Sequence, residues 1–237
     1  MKVIHIAGFS NSGKTTLIRE LIPALADYGP VGVVKHLGHH DYELPEGKDT
    51  TAFFEAGAEI SVGVDGARSV AAVRETDLDM ILEILCDAGI RYAIIEGFKT
   101  KPFPKVVIGE YPGAEQVILT NPAVTDILER LDLFFDFFTA GGLTREMRAG
   151  CEAGMTLLIS TTRCPLIADL AALATLRAEF SERLQGSGGI TVRLEYRESA
   201  GELEITTGIC APDGRTAAET SLRAAGILLP VIAGRRD

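Results

Sequence analysis

The chain has 237 residues, 46% hydrophobic and 24% charged, with a mean hydropathy of +0.19; these values belong to a globular protein and exclude disorder, collagen-like repeats and coiled coil. A formal net charge of −10 argues against bulk binding to nucleic acid or to an anionic membrane, both of which need clustered cations, while leaving room for a small anion held by backbone donors. No apolar run reaches the roughly 18–20 residues of a membrane span, and the opening MKVIHIAG has no charged leader or apolar signal region, so a cytoplasmic protein is expected.

Val3 to Ala7 is a short apolar run of the kind that forms a buried parallel strand, with His5 inside it as a satisfied core histidine. Gly8-Phe9-Ser10-Asn11-Ser12-Gly13-Lys14-Thr15 follows, a complete G-x-x-x-x-G-K-[ST] phosphate loop. A helical apolar stripe then runs through Leu17, Ile18, Leu21, Ile22 and Leu25. Strand, loop and helix in that order are what phosphate binding requires. Gly8 and Gly13 turn the backbone tightly, so that successive N–H groups, Asn11 and Ser12 among them, point at phosphate oxygens. The helix N-terminus adds about half a positive charge. Lys14 is placed to reach the β- and γ-phosphates, and the Thr15 hydroxyl to bind Mg²⁺.

Val31 to Val34 reads as the second strand, and Lys35-His36-Leu37-Gly38-His39-His40-Asp41 follows it directly. Three of the four histidines fall within five residues here. Adjacent His39 and His40 diverge on an extended backbone, which favours phosphate or partner contacts over a zinc site. Asp49 lies in a polar loop expected to return to the same edge. Asp65-Gly66 sits between Ile60–Val64 and Ala67–Val73 as a hairpin turn. Thr76 with Asp79 resembles a capping box for the helix carrying Leu78, Ile81, Leu82 and Leu85. The strand Tyr92 to Ile95 ends at Glu96-Gly97, where a phosphate-loop protein places a metal-directed carboxylate. Lys99, Lys101 and Lys105, around Pro102 and Pro104, form a stiff basic loop that faces either an anion or solvent. Val106–Ile108 and Val117–Leu119 are further strands. Asn121 as N-cap and Pro122 at the first helical position open a last helix, which ends in Leu131, Phe134, Phe135 and Phe138. The order predicts an α/β, P-loop NTPase-type three-layer fold with a mostly parallel sheet.

Ala140-Gly141-Gly142 reads as a break. All seven lysines precede it, and eleven arginines with no lysine follow it. The expected organisation is a nucleotide-binding domain over 1–140 and a smaller α+β domain over 141–237. The latter reads as strand Met155–Thr161, helix Pro165–Leu184, strands Ile190–Tyr196 and Leu203–Cys210, and helix Thr216–Gly226. Cys86, Cys151, Cys164 and Cys210 contain no CxxC pair and are expected to be free thiols.

GFSNSGKTTL, VVKHLGHHD, GKDT, AGAE and IIEGFK with PK following are, in this order, similar to the motifs of the molybdopterin-guanine dinucleotide biosynthesis protein B (MobB) family over about residues 1–138. The resemblance implies a GTP-binding P-loop fold, Mg²⁺ dependence, weak GTPase activity and a homodimer. It also implies an adapter role beside the guanylyltransferase that attaches GMP to molybdenum-bound molybdopterin. By matching motifs, Gly13, Lys14, Thr15 and Thr16 would contact nucleotide, and Thr15, Asp49 and Glu96 would serve the Mg²⁺ site. Lys14 and Glu96 would carry what catalysis there is, and Lys35, His36, His39, His40 and Lys99 would belong to the same edge. No NKxD sequence is present, so the residues permit ATP as well as GTP. A P-loop kinase or NTPase acting on a small metabolite is the alternative reading; its arginine lid has no compact counterpart in the scattered Arg68, Arg74 and Arg91. A scaffold with nucleotide as a structural ligand is the third. Residues 154–163 and the helix–hairpin–helix order after them are similar to the large subunit of molybdopterin synthase. The segment lacks that enzyme's lysines, so the resemblance implies binding of a pterin or a partner rather than catalysis.

Overall fold

The computed structural model describes residues 1–38, 43–165, 169–184, 189–199 and 201–233. They form two units, Lys2–Leu85 with Ile90–Asp136, and Met1 with Cys86–Gly89 and Phe137–Asp237.

The first unit is built on a parallel sheet of strand order β2-β5-β1-β6-β7. β1 (Lys2–Ala7) is the central strand, and its apolar run is explained by cover on both faces: Val3, Ile4 and Ile6 are fully buried. β5 (Tyr92–Glu96) and β6 (Lys105–Val107) pair with its two edges, β2 (Val31–Lys35) lies outside β5, and β7 (Val117–Thr120) lies outside β6. α1 (Lys14–Ala26) buries Leu17, Ile18, Leu21 and Leu25 against Ile4, Ile6, Ile94, Val106, Ile127 and Phe134. A parallel sheet sends every strand's C-terminal end to one edge. The loops after β1, β2 and β5 therefore gather there, where phosphate-binding sites of open α/β sheets form.

α2 (Asp49–Glu55) supports the hairpin of β3 (Ile60–Val64) and β4 (Ser69–Val73); Ser61 Oγ donates to Thr50 O at 2.7 Å. The Asp65 carboxylate closes the turn by accepting from Ala67 N and Arg68 N. Asp77, not Thr76, caps α3 (Leu78–Asp87), accepting from Asp79 N at 2.8 Å.

The end of this unit departs from the sequence reading. Asn121 is not an N-cap: it adopts φ 47°, and its side-chain carbonyl accepts from Gly109 N at 2.6 Å, tying the end of β7 to the end of β6. Ala123 is the N-cap of α4 (Val124–Leu128), with Asp126 accepting from the Ala123 N–H. The helix also stops well before Phe138. After a 3₁₀ turn at Leu131–Leu133 the chain extends as β8 (Phe135–Asp136), antiparallel to Lys2 and Val3, on a stretch of β1 that precedes its pairing with β6. Lys2 pairs with Asp136 at 3.0 Å.

In the second unit Ala140-Gly141-Gly142 is not a break but the first turn of α5 (Ala140–Gly150), capped by Thr139 Oγ1, which accepts from Gly142 N. The glycines serve close approach: a Cβ at Gly141 would lie 2.4 Å from Asp87 Oδ1, and one at Gly142 would lie 2.7 Å from Cys86 Sγ. β9 (Thr156–Pro165), α6 (Leu170–Leu184), β10 (Thr191–Ser199), β11 (Glu202–Ala211) and α7 (Gly214–Ile232) follow, so Pro165 ends a strand rather than opening a helix. The sheet is antiparallel, in order β10-β11-β9. One face packs Leu194, Leu203, Ile205 and Ile209 against Leu173, Phe180 and Leu184 of α6 and Ala224 and Leu228 of α7. On the same strands the buried Glu204 lies between Arg163 at 3.0 Å and Arg197 at 3.2 Å. Cys151 and Cys210 are joined in a disulfide, correcting the expectation of four free thiols; Cys86 and Cys164 are free and buried. Among the described residues no helix is long and apolar enough to cross a membrane.

Candidate functional site

The loops after β1, β2 and β5 enclose a cavity of about 1000 Å³. Its floor is the phosphate loop. Gly8 has φ 146° and Gly13, the N-cap of α1, has φ 98°. Asn11 is left-handed too, at φ 61°, a conformation asparagine tolerates better than most side chains. Gly8, Asn11, Ser12 and Gly13 all line the cavity, as do Lys14, Thr15 and Thr16 of the first helical turn. That turn holds no acidic residue, so nothing there offsets the positive end of the helix. The Lys14 ammonium folds back over the loop and donates to Phe9 O at 2.6 Å.

One wall comes from paired strand ends. Lys35 and Glu96 are register partners on β2 and β5, and Lys35 Nζ lies 3.6 Å from Glu96 Oε2, with the carboxylate side chain only 13% exposed. His36 follows; its N–H donates to Glu96 O, and its ring packs on Phe98 with centroids 4.9 Å apart. Gly97 makes this possible: at φ 96° it leaves no room for a side chain, because a Cβ would sit 2.6 Å from His36 Cβ. Lys99 lines the cavity and holds its ammonium 5.7 Å from the Tyr111 ring centroid. Of the other two lysines of this loop, Lys101 pairs with Asp79 at 3.0 Å, and Lys105 is buried rather than facing a ligand.

Asp49 is exposed on the first turn of α2 and does not line the cavity. His39 and His40 lie outside the described residues. Ser10, Leu37, Gly38, Phe98 and Thr100 line the cavity without having been singled out by the sequence. Each but Thr100 carried a signal, Ser10 in the phosphate-loop run, Leu37 and Gly38 in VVKHLGHHD and Phe98 in IIEGFK; Thr100 is brought in by loop course alone.

Thr15 and Glu96 bring oxygen donors to one cavity, which suits a hard cation. Among the described residues no three His, Cys, Asp or Glu side chains come together. A Mg²⁺ ion held by Thr15 and Glu96 would take its remaining ligands from phosphate and water, as this ion commonly does.

The model of the family described as molybdopterin guanine dinucleotide synthesis protein B matches residues 3–129. A probable molybdopterin-guanine dinucleotide biosynthesis adapter protein of Bacillus subtilis is 39% identical over 111 residues, 45% of this chain and 64% of the relative. The Haemophilus influenzae adapter protein is 37% identical over 112 residues, 45% of this chain and 62% of its own length. The chain thus spans less than two thirds of the curated relatives it matches. Among solved structures, the crystal structure of Bacillus subtilis MobB aligns at 31% identity and a TM-score of 0.42, covering 51% of this chain and 77% of that one. With more than half of its residues matched by the family model, the chain belongs to the molybdopterin guanine dinucleotide synthesis protein B (MobB) family.

Proposed function

We propose that this chain is a GTP-binding adapter of molybdenum cofactor biosynthesis, working beside the guanylyltransferase that completes molybdopterin guanine dinucleotide, with slow Mg²⁺-dependent GTP hydrolysis of its own. The observation that carries the reading is convergence: the phosphate loop, the Lys35–Glu96 pair and Lys99 all face one cavity. On binding, Lys14 exchanges the Phe9 carbonyl for β- and γ-phosphate oxygens, and the backbone N–H groups from Asn11 to Thr16 take the remaining oxygens. Thr15 and Glu96 hold Mg²⁺, which neutralises phosphate charge when bound. Lys35, His36 and Lys99 add positive charge or donors on the opposite wall. With its carboxylate committed to Lys35 and the metal, Glu96 is a poor general base, which is why hydrolysis is slow. GTP in preference to ATP rests on family membership alone.

The adapter works as a cytoplasmic homodimer. The hairpin of β3 and β4 supports this: Ile60, Val62 and Val64 share one face and are each more than half exposed. A two-stranded ribbon with a bare apolar face is marginal in water and gains stability by packing on a second copy. The C-terminal unit serves binding, of molybdopterin or of the guanylyltransferase.

Titration calorimetry with Mg-GTP and Mg-ATP tests the reading. Lys14→Ala removes a charge-assisted contact of about 1.5–3 kcal/mol, so affinity falls roughly ten- to a hundredfold. Wild-type affinity in Lys14→Ala, or rapid phosphorylation of a small metabolite by the purified protein, would overturn it.

A further inference from the structure

Two buried titratable side chains beneath the cavity have no part in phosphate or metal binding. His5 on β1 and Lys105 on β6 are register partners on adjacent strands. His5 is fully buried and Lys105 is 3% exposed. The His5 Nε2–H donates to Gly97 O at 2.7 Å, which leaves Nδ1 unprotonated; that atom has no hydrogen-bond partner among the described residues. The Lys105 ammonium donates to Lys101 O at 2.8 Å and to Phe103 O at 3.1 Å. The three carbonyls held this way, Gly97, Lys101 and Phe103, bracket the segment Phe98–Thr100, which lines the cavity wall.

Both groups are costly to bury. An ammonium whose hydrogen bonds go to carbonyls, and an imidazole with one orphaned nitrogen, would be replaced by apolar side chains if filling the core were their only task. Their donors are aimed at one loop. That loop also contains a left-handed non-glycine residue, Phe98 at φ 47°, and its ion pair, Lys101 with Asp79, is partly exposed. The charge of Lys105 acts together with burial to keep His5 neutral, the form in which Nε2–H can donate while Nδ1 stays bare.

We infer that His5 and Lys105 are positioning residues: from inside the sheet they hold the Gly97–Pro104 loop so that Phe98, Lys99 and Thr100 form the wall facing the phosphate loop. The consequence for nucleotide affinity rests on the proposed GTP site; the consequence for the loop does not.

The test uses the full chain. Lys105→Met keeps the buried stem and removes the donors; His5→Leu removes the imidazole donor, and His5→Gln restores an N–H near the same place. Amide hydrogen exchange without nucleotide reads the loop, and calorimetry with Mg-GTP reads the site. Exchange over residues 97–104 is expected to quicken tenfold or more in Lys105→Met and His5→Leu, with β1 and β5 unchanged and His5→Gln close to wild type. Mg-GTP affinity is expected to fall about tenfold in the first two. Unchanged loop exchange in Lys105→Met, or faster exchange spread evenly over the whole unit, would overturn the inference. If His5→Leu does not fold, Lys105→Met alone decides it. Failure of the wild type to bind Mg-GTP would overturn the proposed function, and the exchange result would still decide the loop.

Discussion

Replacing Gly8 by alanine tests how the phosphate loop is built. The residue sits at φ 146°, and a Cβ there would lie 2.4 Å from Ile108 O and 2.9 Å from Ser12 Oγ. Ser12 can yield by rotation, but Ile108 cannot move freely, because its N–H donates to Ala7 O at 2.9 Å beside the central strand. Ordinary C···O contacts begin at about 3.3 Å, so backbone must shift by roughly 1 Å. Strain at such a φ costs about 1–3 kcal/mol, and forcing extra volume into a packed site costs about 1–3 kcal/mol more. The expected loss is therefore about 2–6 kcal/mol. At a urea m-value of about 2 kcal/mol/M this lowers the unfolding midpoint by roughly 1–3 M. Far-ultraviolet circular dichroism during urea titration reads it directly. Gly113→Ala is the control: Gly113 has φ 78° but nothing within 4 Å of a new Cβ, so only the backbone contribution remains. If Gly8→Ala is no more destabilising than Gly113→Ala, the close approach of Ile108 is not what requires glycine at the start of the loop.

Three further outcomes are expected. Glu96→Gln should lower the Mg²⁺ dependence of GTP turnover by about tenfold or more while leaving the unfolding midpoint nearly unchanged, since its half-exposed partner Lys35 makes the pair worth at most about 1 kcal/mol to the fold; stopped-assay Mg²⁺ titrations and urea curves check both halves. His5 is pushed down to about 4 from 6.5, by burial first and by the charge of Lys105 after it. The unfolded chain then binds the extra proton between those values, so stability rises with pH from about 4 to 6.5, by about 3 kcal/mol for this group, and His5→Gln should flatten that part of the profile relative to wild type. Glu204→Ala should destabilise the C-terminal unit by about 1.5–3 kcal/mol, because it removes the buried carboxylate that Arg163 and Arg197 share; faster amide exchange across β9, β10 and β11 checks it.

The phosphate loop was legible because its chemistry is contiguous: eight neighbouring residues carry the turn, the lysine and the hydroxyl, and the apolar runs beside them fix strand and helix. Glu96 was legible for a related reason, since an acidic residue ending a fully apolar strand of a parallel sheet must emerge at the same edge. Asn121 was not, because its role is set by Gly109 N, twelve residues back and just past the end of β6. Thr76 and Asp77 both suit an N-cap, and only the backbone path chose Asp77.

What the sequence by itself determined is the alternation of strands and helices in the first unit, the phosphate loop and its family. Each of these rests on periodicity or on residues adjacent in the chain. What the tertiary structure decided is everything that depends on a distant neighbour. Gly141-Gly142 looks like a linker until Asp87 and Cys86 are found where their side chains would be. Phe135–Asp136 is extended because Lys2 and Val3 offer it a strand to pair with. Cys151 and Cys210 meet across 59 residues. Lys105 looks like one more surface lysine in a basic loop until β6 carries it beneath that loop, where its ammonium reaches the carbonyls of Lys101 and Phe103. A side chain's type limits what it can do; which atoms come within about 3 Å of it is fixed only when the strands are laid side by side.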